Sequence, residues 1–477
     1  MLGTGIYPLT NEQQRFAALH NPVKDRPGRL SPIPAILLVI AGLIAALLTL
    51  PGDTASAGAL QVPAAMLATG LMGGIIIRSI RFGLEEAVRP ECAITGGVIY
   101  FVLLDLIQGI YPVDVGRDAV QSVFVAIALF ACVLLAATAR TPPHLPRVVV
   151  RAALLDPPTR LLVRALWLCF ALGMFYFAFM SGFSLNVMFQ GLLASRFSAP
   201  WSRGDMGGWY SFIEHLVYFG YLLPTLTTII FLRERRWLSG AVLQGIVLSA
   251  VFLPFVIQGG GRRILGMCVG SAFFTWLVSI RRTIKPKHVI ILLVLLAGTL
   301  VLMDAMLANR GRGAIEFSYN SDDLRYVRVD DNFLRFAQNM EIVPRFQPHT
   351  GFDWIIWVVA RPIPRVLWTG KPTSPPFDLA AYLGITASLT CSSIAEWYVA
   401  FGWIGVVVAG ALFGVLCRFW AQVLECARTY TSVGMYGLGV LALFISVRSM
   451  IELILMSYPL LAWLLIGNHI ARRQGIR

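Results

Sequence analysis

Apolar residues recur along this chain in blocks of roughly 18 to 22, each long enough as a helix to cross about 30 Å of hydrocarbon. The blocks fall at approximately 33–50, 60–77, 92–111, 119–138, 165–186, 209–232, 238–257, 264–280, 288–307, 397–417, 434–447 and 453–470. They predict about twelve transmembrane helices. The links between them are mostly short and polar, apart from a long inner loop over 139–164 and one much longer polar stretch. The pattern therefore predicts an all-α, polytopic integral membrane protein with one large extracytoplasmic loop. Its parts are a cytoplasmic segment 1–32, nine helices over 33–307, the loop 308–395, three helices over 396–470, and a cytoplasmic tail 471–477.

Composition sharpens this picture. With 57% hydrophobic and 13% charged residues and a mean hydropathy of +0.72, a chain of this length must turn much of its apolar surface to lipid. The first span follows a polar, Pro-rich stretch containing Arg15, Lys24, Arg26 and Arg29, with no small-residue cleavage site after Leu50. It reads as a retained anchor. The seven cysteines are scattered, and only Cys391 falls in a predicted outer loop, so neither a disulfide framework nor a metal cluster is implied.

Lys and Arg orient the helices. With the N-terminus inside, the inner segments carry 24 basic residues, the short outer loops 6 and the long loop 9. Long loops translocate largely regardless of charge, so 24 against 6 decides, and both termini are placed in the cytoplasm. The net charge of +14 is then mostly topogenic and implies no nucleic-acid partner. The inner loop 139–164 is basic and Pro-containing, suited to a short helix on the membrane surface.

Residues 308–395 mix nine basic and eight acidic side chains with Phe333, Phe336, Trp354, Trp357 and Trp368, as a packed cap does. Apolar positions Leu324, Val327, Phe333, Phe336, Met340 and Val343 predict an amphipathic helix over 322–343. A second segment, 354–360, is too short to span and reads as an interfacial or re-entrant helix bringing Arg361 and Arg365 to headgroup level.

Ionisable groups in hydrocarbon cost several kcal/mol and demand a partner or a function. Asp105, Glu214, His215, Asp304, Glu396, Arg448 and Glu452 all fall near predicted outer ends, which predicts a polar cleft in the outer half of the bundle. Arg262 and Arg263 after a glycine turn, with Arg361, Arg365, Lys371 and Arg448, can supply its positive side and suit a pyrophosphate. Arginines at helix ends also serve as snorkelling anchors, and Asp105 and Asp304 equally suit counter-ions for structural arginines. Gly402, Gly405, Gly410 and Gly414 suit close helix packing.

The stretch Arg361-Pro-Ile-Pro-Arg365-Val-Leu-Trp368-Thr-Gly-Lys371-Pro372, followed by Ile394-Ala-Glu396-Trp-Tyr398-Val-Ala-Phe401-Gly402-Trp-Ile-Gly405, resembles the bacterial oligosaccharide repeat-unit polymerases of the Wzy type. The specific part covers about forty-five residues. It departs from the pattern where Ala395 stands in place of a common Gly and Thr369-Gly370 in a slot that often holds Pro. An Arg-x10-Gly spacing known from some members is met by Arg196 and Gly207, and by no arginine of the long loop.

The resemblance implies transfer of a growing glycan from undecaprenyl pyrophosphate to the end of another lipid-linked repeat unit, at the periplasmic face of the inner membrane. A flippase and a chain-length regulator would be its partners. In that scheme Glu396, framed by Trp397, Tyr398 and Phe401, is the general base, with His215 and His349 as alternatives. Arg262, Arg263, Arg361, Arg365, Lys371 and Arg448 hold the pyrophosphate, and no cofactor is needed in principle. A capping role for Glu396, an O-antigen ligase-like glycosyltransferase and a transporter or flippase of anionic glycolipids are the competing readings. A transporter would spread polar residues along its passage and show related halves, which this chain does not.

Overall fold

The computed structural model describes residues 31–83, 86–139, 144–195, 198–202, 213–258, 261–280, 286–308, 326–361, 363, 367–372, 374–385 and 389–473. Among them the secondary structure is helical throughout. The helices are α1 Ile33–Leu48, α2 Gln61–Phe82, α3 Pro90–Gln108, α4 Arg117–Thr138, α5 Arg147–Leu154, α6 Thr159–Met180, α7 Leu185–Leu193, α8 Val217–Gly220, α9 Leu223–Glu234 and α10 Gly240–Ile257. They continue with α11 Arg262–Ile280, α12 Pro286–Ala308, α13 Asn332–Ile342, α14 Phe352–Ala360, α15 Leu379–Tyr382, α16 Ser393–Cys426, α17 Tyr430–Ser446 and α18 Met450–Arg473. α2, α3, α4, α6, α10, α11, α16 and α18 are long and apolar enough to cross a bilayer, and α1 and α17 are shorter apolar helices.

The chain is thus an all-helical protein with the makeup of a polytopic membrane protein. Its long apolar helices still expose large hydrophobic side chains such as Leu37, Ile80, Trp167, Val247 and Ile404, which suits a lipid surround.

The shortest predicted span proves to be the hub. α17 packs against α11, α18, α16 and α3 and buries fifteen of its seventeen residues, Gly434, Gly437 and Gly439 included. A helix apolar on every side is buried on every side. Its start is fixed by a capping box between Thr429 and Ser432, and the hydroxyls of Thr429 and Thr431 donate to the Leu155 carbonyl at 3.1 and 2.8 Å.

Three expectations change. The block 209–232 is not one continuous helix: its described part holds α8 and α9, with Tyr221 and Leu222 between them and Pro224 in the first turn of α9. Of the helix expected over 322–343, residues 322–325 lie outside the described residues, and the described part is helical only from Asn332, because the backbone just before it bonds elsewhere. The Val327 N–H donates to Gln108 Oε1 at 2.8 Å, Gln108 Nε2 donates to the Val327 carbonyl at 3.0 Å, and the Val329 N–H donates to Asp105 Oδ1 at 3.2 Å. α13 is also a buried element, with Phe333 and Phe336 fully enclosed.

The third change is in α16, where Phe401 and Gly402 leave helical geometry. Gly402, at φ +63° and ψ −144°, occupies backbone space essentially closed to side chains. The carbonyls freed by this kink accept from the loop: the Thr350 N–H donates to Val399 at 3.1 Å and the Gly351 N–H to Ala400 at 2.9 Å. Gly402 therefore serves the kink. Gly410 and Gly414 do meet a neighbour closely, with room for a β-carbon only 2.8 and 2.7 Å from the Phe130 and Leu134 carbonyls of α4.

Acidic residues are not confined to predicted outer ends. At the other end of the bundle Arg78, Glu86, Arg89 and Glu91 form a ring of ion pairs at 2.8 to 3.5 Å, with Glu91 in the first turn of α3. α5 is the expected short helix of the loop 139–164, and it turns Val149, Ala152 and Ala153 inward against α16, α17 and α18.

Candidate functional site

Four segments meet at the end of the bundle where α3 finishes and α11, α16 and α18 begin. The Val447–Ser449 turn joins α17 to α18 and carries Arg448. The start of α16 holds this turn: the Ser393 N–H donates to the Val447 carbonyl at 2.9 Å. Ser449 Oγ donates to Glu396 Oε1 at 2.6 Å, and the Met450 N–H donates to Glu396 Oε2 at 2.6 Å. Glu396 is 3% exposed. It thus serves an orphan amide at the start of α18, as a carboxyl oxygen at a helix N-terminus can.

Arg448, so held, donates through Nε to Asp330 Oδ2, through one terminal nitrogen to Glu452 Oε1 at 2.9 Å and through the other to Thr390 Oγ1 at 3.0 Å. Arg263 donates to the same Glu452 oxygen. Arg262 reaches Asp330 Oδ1 at 3.3 Å and the Arg328 and Val329 carbonyls at 2.7 and 3.2 Å. Asp330 is placed by its neighbours, since Val329 is tied to Asp105 and Asn332 Nδ2 donates to the Phe101 carbonyl at 2.9 Å. Asp105 thus anchors the strap that presents Asp330.

Three guanidiniums and two carboxylates leave the cluster one positive charge in excess. Burial alone would raise the Asp330 carboxyl, but Arg448, Arg262 and Arg263 hold it below its ordinary range. Burial likewise works against the charge on Arg448, and Asp330 and Glu452 more than restore it. Glu452 is 2% exposed, and its Oε2 has no hydrogen-bond partner among the described residues.

The arginines form the polar end of a cavity of about 360 Å³, within the ~300–1,000 Å³ of small-molecule sites. Arg262, Arg263, Asp330 and Arg448 line that end. Its walls are apolar, supplied by α11, α12 and α17 together with Tyr100 and Phe101. Such a site matches a molecule with an anionic head and an apolar body.

The candidate residues separate into groups. Arg262, Arg263 and Arg448 come together on the cavity. Glu396 lies behind them, bonded to the turn and outside the cavity lining. Arg361 lies over the Trp357 ring at 5.2 Å, and Lys371 Nζ donates to the Arg361 and Ile363 carbonyls at 2.9 Å each; neither lines the cavity.

His215 pairs with Tyr458, Nε2 to Oη at 3.2 Å. His349 Nδ1 is 3.3 Å from the Val399 carbonyl at the kink. Neither histidine is on the cavity wall. Arg365, Arg196, Gly207 and the Asp304 side chain lie outside the described residues.

Asp330 is the member of the site that the sequence pattern does not point to, whereas Glu452 falls in the expected outer cleft. The four-residue step from Arg448 to Glu452 also brings those two within reach of each other; Asp330 reaches the site only through tertiary contacts. Fold and site together define a multi-helix membrane protein with an arginine-headed, apolar-walled cavity at one end. Comparison with family models, curated proteins and solved structures finds no match for the chain.

Proposed function

We propose that this protein is a membrane glycosyltransferase that polymerises undecaprenyl-pyrophosphate-linked oligosaccharide repeat units, as in O-antigen or a related surface polysaccharide. The observation that carries the reading is the cavity, because an arginine cluster continuous with an apolar shaft suits a lipid pyrophosphate. The Wzy-type resemblance supplies the glycan. The bias of 24 basic residues over 6 supports cytoplasmic termini and a cavity at the outer, periplasmic face of a bacterial inner membrane. Taken with the eight long helices, α1, α8–α9, α12 and α17 make about twelve crossings.

In this reading the acceptor hydroxyl oxygen bonds to the anomeric carbon of the donor glycan. The bond from that carbon to the pyrophosphate oxygen breaks, and the hydroxyl proton passes to a carboxylate. Arg262, Arg263 and Arg448 stabilise the charge that grows on the departing lipid pyrophosphate. Among the described carboxylates bonded to these arginines, Asp330 is the one on the cavity lining and so the candidate to take the proton. Glu396 holds the Arg448 turn, so its role is positioning.

The test is a strain lacking the gene. The reading expects lipopolysaccharide carrying a single repeat unit on its core. Accumulated lipid-linked polymer with no O-antigen on the core would instead assign a ligase.

A further inference from the structure

The cavity reaches far deeper than an anionic head requires. Its α11 wall runs from Arg262 through Gly266 and Gly270 to Phe273, four, eight and eleven residues on, or about 6, 12 and 16 Å along the helix. That is roughly half of a ~30 Å hydrocarbon layer, the depth of one leaflet.

Two glycines create the shaft. A β-carbon on Gly270 would stand 3.0 Å from Leu441 Cδ1 of α17, and one on Gly266 would stand 3.3 Å from Met303 Cε of α12. Any larger side chain at either position would project into the space between the three helices. The shaft also opens sideways, since Leu295 of α12 lines it and is 51% exposed to the surroundings of the bundle.

We infer that this glycine-floored shaft between α11, α12 and α17 is a binding site for the polyprenyl chain of a lipid pyrophosphate, loaded laterally from one leaflet past Leu295. The inference rests on the carrier reading above for the head of the ligand. Its own content is that Gly266 and Gly270 determine which chains fit. Continuity with Arg262, Arg263 and Arg448 selects the occupant: an apolar chain in the shaft must carry its anionic group at the arginine end. The opening at Leu295 lets a chain longer than the shaft continue into the membrane.

The test uses the full-length protein in phosphatidylcholine nanodiscs and three probes: inorganic pyrophosphate, farnesyl pyrophosphate and undecaprenyl pyrophosphate. Wild-type protein should bind both prenyl probes at least about ten-fold more tightly than inorganic pyrophosphate, since only two buried methylenes are worth that factor. Gly270→Leu should remove about ten-fold or more of this gain and leave inorganic pyrophosphate within about two-fold. Leu295→Trp, on the lipid side where folding is undisturbed, should weaken the prenyl probes in the same way. Prenyl binding at wild-type strength in both variants overturns the shaft assignment, as does equal affinity of wild-type protein for all three probes. Full displacement by phosphatidylglycerol at equal mole fraction also overturns it and assigns the shaft to bulk lipid. If inorganic pyrophosphate binds unchanged in Arg448→Ala, the carrier reading beneath it fails, whatever the glycine variants do.

Discussion

Glu396 separates two accounts of this site by a single pair of substitutions. Its two carboxyl oxygens accept from Ser449 Oγ and the Met450 N–H, both at 2.6 Å, and leaving one such buried donor without a partner costs about 1–3 kcal/mol. Glu396→Ala would strand both donors in a buried place, at a cost of about 2–6 kcal/mol. Glu396→Gln keeps one acceptor of nearly the same shape, and the Ser449 hydroxyl can turn to accept from the new amide. That variant should lose about 1–3 kcal/mol, with Arg448 still facing the cavity. The assay is polymer length per unit of folded protein, alongside thermal inactivation in detergent. A positioning role predicts shortened but persistent ladders in Glu396→Gln, a smaller defect of the same kind in Ser449→Ala, and loss of folded protein in Glu396→Ala. Abolished polymer in a fully folded Glu396→Gln, with Ser449→Ala unaffected, would refute this reasoning and make Glu396 the base.

Other outcomes follow from the same geometry. Arg448→Ala removes a guanidinium shared by Asp330, Glu452 and Thr390 and should lower turnover about a hundred-fold. Arg448→Lys should rescue only part, and Arg235→Ala at the other end should match wild type in the same ladder assay; equal ladders in all three would contradict the arginine site. Gly402→Ala places a side chain at φ +63° and 3.1 Å from His349 Nε2, so it should cost about 1–3 kcal/mol of stability, read as a lower inactivation temperature. Asp330 is depressed below its ordinary carboxyl range by Arg448, Arg262 and Arg263 against its burial. Its stabilising contribution is therefore complete above the unfolded-state value and is lost only as pH falls through the lower folded value. Asp330→Asn should accordingly lower stability at neutral pH and flatten the acid limb of a stability-against-pH curve.

The apolar blocks made the bundle legible, since length and hydropathy are local properties. Even the irregular regions had signals: Pro224 stands where the block 209–232 breaks, and Gly402 where α16 kinks. What those signals could not convey was consequence. A glycine within a span reads equally well as a packing contact, and only the loop amides of Thr350 and Gly351 reveal the carbonyls freed at the kink.

The arginines at 262, 263 and 448 were recognisable as a group from their shared helix-end position. The separation of Arg361 and Lys371 from them was not, because loop residues have no periodicity that fixes where they land. Asp330 stayed hidden for the same reason. The ring formed by Arg78, Glu86, Arg89 and Glu91 sits at the helix end opposite the cavity, where basic residues had been counted only for orientation.

If the arginine-headed cavity holds the lipid pyrophosphate of a glycan being extended, purified protein in liposomes supplied with a lipid-linked single repeat unit should build polymer by itself. The expected product is a ladder of two or more repeat units, with one molecule of undecaprenyl pyrophosphate released for each bond formed and both lost in Arg448→Ala. A substrate that remains a single repeat unit and only crosses to the other leaflet would contradict it and make the protein a transporter.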